Sequence, residues 1–362
     1  DDFPRSYYQP YNAQTNPDGY TGDRTEREHT LLRKAIQFIE DEVPTDLMID
    51  GDNDGRVDNV TFLVYGSPGA WADLLWPHRW SLYSQYVTIH GKQVWDYNFN
   101  METGGYFTVG TLCHEFNHSL SAPDLYHYNE TGAPVACGSW DVMDASGDMP
   151  AYMGAFMKAK YGNWIEDTNG DGQRNLEDIP WLDSPGIYSL NPLHDSTNYA
   201  YRIRSPYTDN QYFVVEYRVK QGLYESTTPG NDDGLLVYRI NTCCSGNAQG
   251  PPDEVYIYRP LTKSTNFHDL LEKPKKYFTF KGVNEVSLTN SPEFLNILSI
   301  YFNSATATIL EEVCDCNTIS WISELISLYI PFFISFCLSS IVLFIRPSLA
   351  IPERLISDLP AI

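Results

Sequence analysis

Apolar positions along the chain follow two rhythms, and the change between them marks its organisation. Between Thr25 and Val43, Leu32, Ala35, Ile36, Ile39 and Val43 recur at helical spacing with Glu and Arg opposite, which predicts an amphipathic helix ended by Pro44. Val60–Gly66, VTFLVYG, is an unbroken β-branched and aromatic run and predicts a central strand. Tyr86–Phe99, YVTIHGKQVWDYNF, predicts a hairpin turning at His90-Gly91-Lys92 and supplying the sheet's edge strand. Helical segments are expected from Val109 and again from Pro150 to Trp164. From Trp181 to Leu310 short alternating segments take over: GIYSLNPL, YAYRIRS, YFVVEYRV, GLLVYRI and EVYIY, punctuated by Gly and Pro. They predict a β-rich, sandwich-like part. Residues 1–24 read as an extended entry segment, and no internal repeat stands out.

The tail departs from both rhythms. Leu325–Ile345 is 21 residues without a charge, long enough to cross a bilayer as a helix. It reads either as a membrane anchor or as an aberrant terminus.

Length and composition narrow the class. At 362 residues, two domains with ample core are expected. A net charge of −23 argues against nucleic acid as a partner, because phosphates need a basic surface. It suits a secreted protein with cation-binding loops. The chain opens DDFP without an apolar leader, so a signal peptide is expected outside this sequence. Seven cysteines leave at least one unpaired within the chain, and Cys113 with Cys137 is one conceivable pair.

The chemistry concentrates in Val109–Tyr128, VGTLCHEFNHSLSAPDLYHY. His114 and His118, four apart, stand one turn apart on one helix face with Glu115 between them in the chain. This is HExxH, in which two imidazoles hold zinc and the Glu is general base to a water. The bland alternative is a pair of helical surface histidines. Counting on, as in metzincin peptidases, puts Ser121 where their helix-ending Gly stands and Asp124 at the third-ligand position. Asp is an acceptable oxygen ligand, and Pro123 turns the chain; Asp124 as a plain turn-former is the alternative. Met143, in GSWDVMDASG, is the candidate for the methionine turn beneath such a metal, and a core Met is the alternative. Tyr126 and His127 are candidate oxyanion stabilisers. His78, in an aromatic loop, reads as a ligand or as a structural histidine.

Two acidic loops look suited to calcium. Asp50, Asp52, Asp54 and Asp58 surround Gly55 at loop places one, three, five and nine, but Thr61 holds the twelfth. Asp167, Asn169, Asp171, Gln173 and Asp178 fit places one, three, five, seven and twelve better. Solvated acidic turns are the alternative in both.

On these motifs the chain resembles the immune inhibitor A family of secreted bacterial zinc metallopeptidases. That family reads HE-aromatic-GH-x-LG-x-PD-x-Y, then Trp-x-x-Met, then a Lys-bearing helix ending in Gly-Trp. This sequence has HEFNHSLSAPDLY, SWDVMD and GAFMKAKYGNW, with DGDNDGRVDNVTFLVYG before them and YFVVEYRVKQG and GLLVYRIN after, so the likeness runs to about Asn241. Asn117 and Ser121 replace family glycines. If Ser121 must be left-handed, it costs about 1–2 kcal/mol relative to Gly. The resemblance implies an α+β fold, with a zincin-like catalytic domain over 1–180, a β-rich domain over 181–312 and the hydrophobic tail over 313–362. It implies a secreted or cell-surface bacterial endopeptidase with catalytic zinc on His114, His118 and Asp124, structural calcium, and protein or peptide substrates. A membrane is a partner only if 325–345 is an anchor. The competing readings are an inert, calcium-stabilised adhesion protein and a peptidase restricted to glycoproteins.

Overall fold

The computed structural model describes residues 2–258, apart from 130–132, 185, 196, 206–207 and 230–232, together with the strands Glu285–Leu288 and Ser340–Ile345. Its mixture of helices and sheets is α+β, as expected. Two compact units are distinguished: one contains residues 2–107 and the strand Ser340–Ile345, and the other begins at Thr108.

In the first unit, helix α1 (Arg24–Ile39) buries Leu32 and Ile36 completely, while Phe38, off the apolar stripe, is 86% exposed. A short turn at Glu40–Glu42 follows, and the helix is over before Pro44. Asn59–Val64 is buried along its whole length and is central. Ser340–Ile345 and Asp96–Met101 flank it in parallel, and His78–Ser81 runs antiparallel beside Asp96–Met101. The expected hairpin forms, Thr88–Ile89 against Lys92–Val94. His90 and Gly91 both take positive φ, 50° and 80°, the turn whose twist suits paired strands.

The expected edge is corrected. Asp96–Met101 lies inside the sheet with every residue buried, and His78–Ser81 is an edge strand instead. Asn98 and Asn100 suggest a solvent face by type, yet both are buried, and Asn59 Nδ2 donates to Asp96 Oδ2 at 3.0 Å nearby. Of the uncharged tail run, 325–339 lies outside the described residues, and Ser340–Ile345 is a strand. Among the described residues no helix is long and apolar enough to cross a membrane.

The second unit holds a four-stranded antiparallel sheet in the order Val255–Ile257, Gly234–Asn241, Gln211–Arg218, Ala200–Arg204. Alternation along these strands sorts the residues by face. Tyr212, Val214, Leu236 and Tyr238 join a core with Leu125, Trp140, Met143 and Phe156. Val215, Leu235 and Val237 join a smaller cluster with Leu182 and Leu190. The sheet therefore lies directly on the segments that carry the candidate site.

The inner face also carries charge. Arg218 is buried and donates to Glu216 at 2.9 Å and, through two nitrogens, to Glu225 at 2.7 Å. Tyr238 donates to Glu216 Oε2 at 2.9 Å. These carboxylates explain why the helix expected from Pro150 begins only at Ala155. Backbone N–H groups of Tyr152, Gly154 and Ala155 donate to Glu225, Asp141 and Glu216 rather than to a preceding helical turn. Three α-helical residues, Ala155–Met157, lead into a wider turn over Lys158–Gly162, closed by left-handed Asn163.

Removing the buried cation while leaving two carboxylates uncompensated is severe. Arg218→Met is expected to lower the unfolding free energy by about 3–5 kcal/mol, read from the denaturant midpoint at unchanged slope.

Candidate metal centre

Helix α2, Val109–Ser119, begins at Thr108, whose Oγ1 accepts the Thr111 N–H at 3.0 Å. Gly110 cannot carry a side chain, because a Cβ would collide with the Gly147 backbone. Its own N–H donates to Gly147 O at 2.9 Å, fixing the helix start against the segment that follows Met143.

The other end decides the site. Leu120 caps the helix and Ser121 follows at φ 72°. The Ser121 N–H donates to His118 O (2.9 Å) and the Ala122 N–H to Asn117 O (3.1 Å), the paired bonds of a Schellman turn. That reversal brings Asp124 back over the helix. Ser121 is therefore in the left-handed conformation for which a Gly is ordinarily needed.

His114 Nε2, His118 Nε2 and Asp124 Oδ1 meet in a triangle with sides of 3.2, 3.0 and 3.3 Å. His114 Nδ1 lies 2.9 Å from Val142 O, and His118 Nδ1 lies 2.7 Å from Ala122 O. A carbonyl can only accept, so each Nδ1 carries a hydrogen and each ring turns its Nε2 inward, where loss of a proton leaves a bare lone pair. Asp124 Oδ1 is buried between the two Nε2 atoms. Its other oxygen accepts from the Tyr128 hydroxyl at 2.6 Å.

Two imidazole nitrogens and a carboxylate oxygen thus converge out of water, and a cation between them would satisfy all three. The size fits zinc: bonds near 2 Å in tetrahedral geometry separate ligand atoms by about 3.3 Å. The electrostatics point the same way. Burial lowers the basicity of His114, but the Asp124 and Glu115 carboxylates more than reverse this, to about 9. Burial alone would raise Asp124, yet the two imidazoles hold it well below the usual carboxylate range. The pocket is made for positive charge.

Around the triangle the backbone does much of the holding. Val142 O anchors His114, and the next carbonyl, Met143 O, accepts the Leu125 N–H at 2.9 Å beside Asp124. Asp141 fixes this turn through Met143 N (2.9 Å) and Gly154 N (2.8 Å), and its buried carboxyl is pushed up to about 7 by desolvation. Met143 itself is fully buried. From the far side, Gly246 at φ 71° lies so close to Pro123 and Asp124 that a Cβ would clash, and Asn247 N donates to Asp124 O at 2.8 Å.

Among the other candidates, Glu115 is buried, and its charge acts on His114 and Tyr128. The Tyr126 ring lies 6.2 Å from that of His114, centroid to centroid. His127 is committed elsewhere, with Nε2 2.6 Å from Asp253 Oδ1. His78 lies between Glu28 (2.8 Å) and Trp76 O (2.6 Å), as a structural histidine does. Cys113 and Cys137 are not bonded to each other.

Asp50, Asp52 and Asp58 converge within ligand distance, but Asp54 is not part of that group. Asp50 Oδ1 is buried without a partner, although Lys92 Nζ lies 2.6 Å from Oδ2. The second loop is closed by bonds from its own backbone to its side chains. Asp167 accepts from Gly170 and Gly172, Asn169 from Asp171, Asp171 from Gln173, and Asp178 from Thr168 and Asn175. Its carboxylates do not gather into a three-ligand group. The sequence reading missed Tyr128, the Val142 and Ala122 carbonyls, Asp141 and the Gly246–Asn247 support. Tyr128 alone had a signal, its place four residues after Asp124 in the motif's last aromatic cluster.

Comparison with known proteins gives the class. Residues 64–165 match the family described as immune inhibitor A peptidase M6, catalytic domain. Immune inhibitor A of Bacillus thuringiensis subsp. alesti is 27% identical over an alignment of 151 residues, with 33% of this chain and 21% of that protein covered. The chain resembles the immune inhibitor A-like metallopeptidases, and the likeness spans about a fifth of that relative's length.

Strain at Ser121 has a measurable consequence. Ser121→Gly is expected to raise stability by about 1 kcal/mol, seen as a higher thermal midpoint, whereas Ser121→Val should lower it.

Proposed function

We propose that this chain is a zinc-dependent endopeptidase of zincin type, secreted or displayed at a bacterial cell surface, acting on protein or peptide substrates. The observation that carries the reading is the triangle of His114, His118 and Asp124, two imidazole nitrogens and a carboxylate oxygen spaced as zinc ligands. Its similarity to a peptidase catalytic domain gives independent support.

Zinc in the triangle supplies a Lewis acid that polarises the scissile carbonyl and brings the pKa of a water towards neutrality. Glu115, on the helix turn that presents His114, takes the proton from the attacking water and passes it to the leaving amine. Val142 O and Ala122 O keep each imidazole in the tautomer that offers Nε2. Tyr128 donates to Asp124 Oδ2 and so leaves Oδ1 for the metal. Burial and the adjacent carboxylate push the Tyr128 hydroxyl well above its ordinary pKa, so it remains a donor throughout the neutral range. Of the oxyanion candidates, Tyr126 is favoured over His127, because Asp253 already occupies the His127 ring. Calcium at Asp50, Asp52 and Asp58, and in the Asp167–Asp178 loop, is the accompanying structural proposal.

An inert adhesion protein descended from a peptidase is the other reading, resting on Asn117 and Ser121. Against it, the Schellman turn forms with Ser121 in place and Asp124 still reaches the two imidazoles.

Glu115→Gln is expected to retain stoichiometric zinc by metal analysis and to lose casein cleavage; full activity in this variant would remove Glu115 as the base. Zinc-loaded wild-type protein inert towards a peptide library would favour the adhesion reading. Calcium is expected to raise the thermal midpoint of the wild-type protein, and Asp50→Ala with Asp178→Ala to abolish that rise.

A further inference from the structure

Of the described cysteines, Cys243 and Cys244 are neighbours in chain and in space. Cys243 and Cys244 bring their sulfurs within hydrogen-bonding reach of each other, at 2.8 Å, with either thiol able to donate. Cys243 is exposed and Cys244 half-buried, so a dissolved reagent reaches the first and the second waits behind it. Cys137 is buried in the core.

Their place in the fold gives the pair consequence. They follow Asn241, the end of the strand Gly234–Asn241, and open the loop that backs Asp124. Two residues on, Gly246 presses against Pro123, and Asn247 N donates to Asp124 O at 2.8 Å. Tyr128 N donates to Ala248 O at 3.0 Å. The bonds fixing the cysteine turn are long by comparison. Cys243 N lies 3.4 Å from Asn241 Oδ1, and Cys244 N lies 3.4 Å from Asn241 O. The turn thus joins directly onto the backbone that pins Asp124.

We propose that Cys243 and Cys244 are a vicinal dithiol that closes by exchange with a small-molecule disulfide, and that closure resets the loop holding Asp124. The Cys243 thiolate attacks one sulfur of the reagent, forming a mixed disulfide and expelling one thiolate. The Cys244 thiolate then attacks Cys243 Sγ, forming the Cys243–Cys244 bond and expelling the second. Two protein thiols lose two electrons and two protons, and one molecule of disulfide becomes two molecules of thiol. The order follows exposure, and burial beside Cys243 pushes the Cys244 thiol up to about 11, so it is the poorer first nucleophile. Consecutive Cα atoms are about 3.8 Å apart, less than the roughly 4.4 Å minimum common to disulfides, so closure bends the peptide between them. A bond formed under that constraint is readily reduced again, as a reversible site requires.

The test uses the purified full chain, incubated with oxidised glutathione, alkylated and digested without reductant. The peptide holding both cysteines is expected two hydrogen atoms lighter and unalkylated, and dithiothreitol restores alkylation at both. Alkylation of both after oxidation, a glutathione adduct that persists, or a bond from either to Cys314, Cys316 or Cys337 overturns the dithiol assignment. Amide hydrogen exchange at Asn247 and Tyr128 is the second readout. Exchange there is expected to quicken several-fold on oxidation in the wild type and to stay unchanged in Cys243→Ser. Equal exchange in both redox states of the wild type overturns the link to Asp124. Neither readout involves zinc or peptide cleavage, so failure of the peptidase reading is scored separately.

Discussion

Two imidazole nitrogens and a carboxylate oxygen brought together out of water set the terms for everything around them. Each imidazole spends its Nδ1 hydrogen on a carbonyl, and the carboxylate spends one oxygen on Tyr128. Once each Nε2 has lost its proton, three lone pairs are turned inward, and lone pairs in a buried site repel unless positive charge lies between them. Folding this region and supplying that charge are one thermodynamic problem, as is usual where ligand atoms are prearranged.

Much of the site was legible because it is local. HExxH lies within a single helical turn and a half, and Asp124 follows by counting along a short reversal whose residues are adjacent in the chain. The strain at Ser121 was legible too, since a non-Gly residue where the turn demands positive φ announces its own cost. The rest is held by groups that leave no mark in a sequence. The Val142, Ala122 and Met143 carbonyls would be the same whatever side chains stood there. The support from Gly246 and Asn247 comes from more than a hundred residues downstream, beyond any periodicity.

Where expectation and structure part, buried polarity is the cause. Asp96–Met101, expected at the sheet's edge, lies inside it with Asn98 and Asn100 buried. The helix expected from Pro150 starts late because Asp141, Glu216 and Glu225 capture the N–H groups its first turns would use. Glu216 lies on a sheet face that alternation alone would fill with hydrocarbon, and Arg218 and Tyr238 are there to satisfy it. Asp141 connects this network to the metal triangle, since it holds the turn from which Val142 reaches His114.

The loop from Gly246 to Glu254 is the last support to arrive in chain order. As the chain leaves the ribosome, both imidazoles and the third ligand emerge well before the strand that ends at Asn241 and the backbone that pins Asp124 from behind. A nascent chain can form the helix but not the finished cradle, because its closing contacts have high sequence separation. The full enclosure of the triangle is thereby withheld until the chain through Glu254 has been made, so an unfinished chain holds the helix without the pocket that orients Asp124.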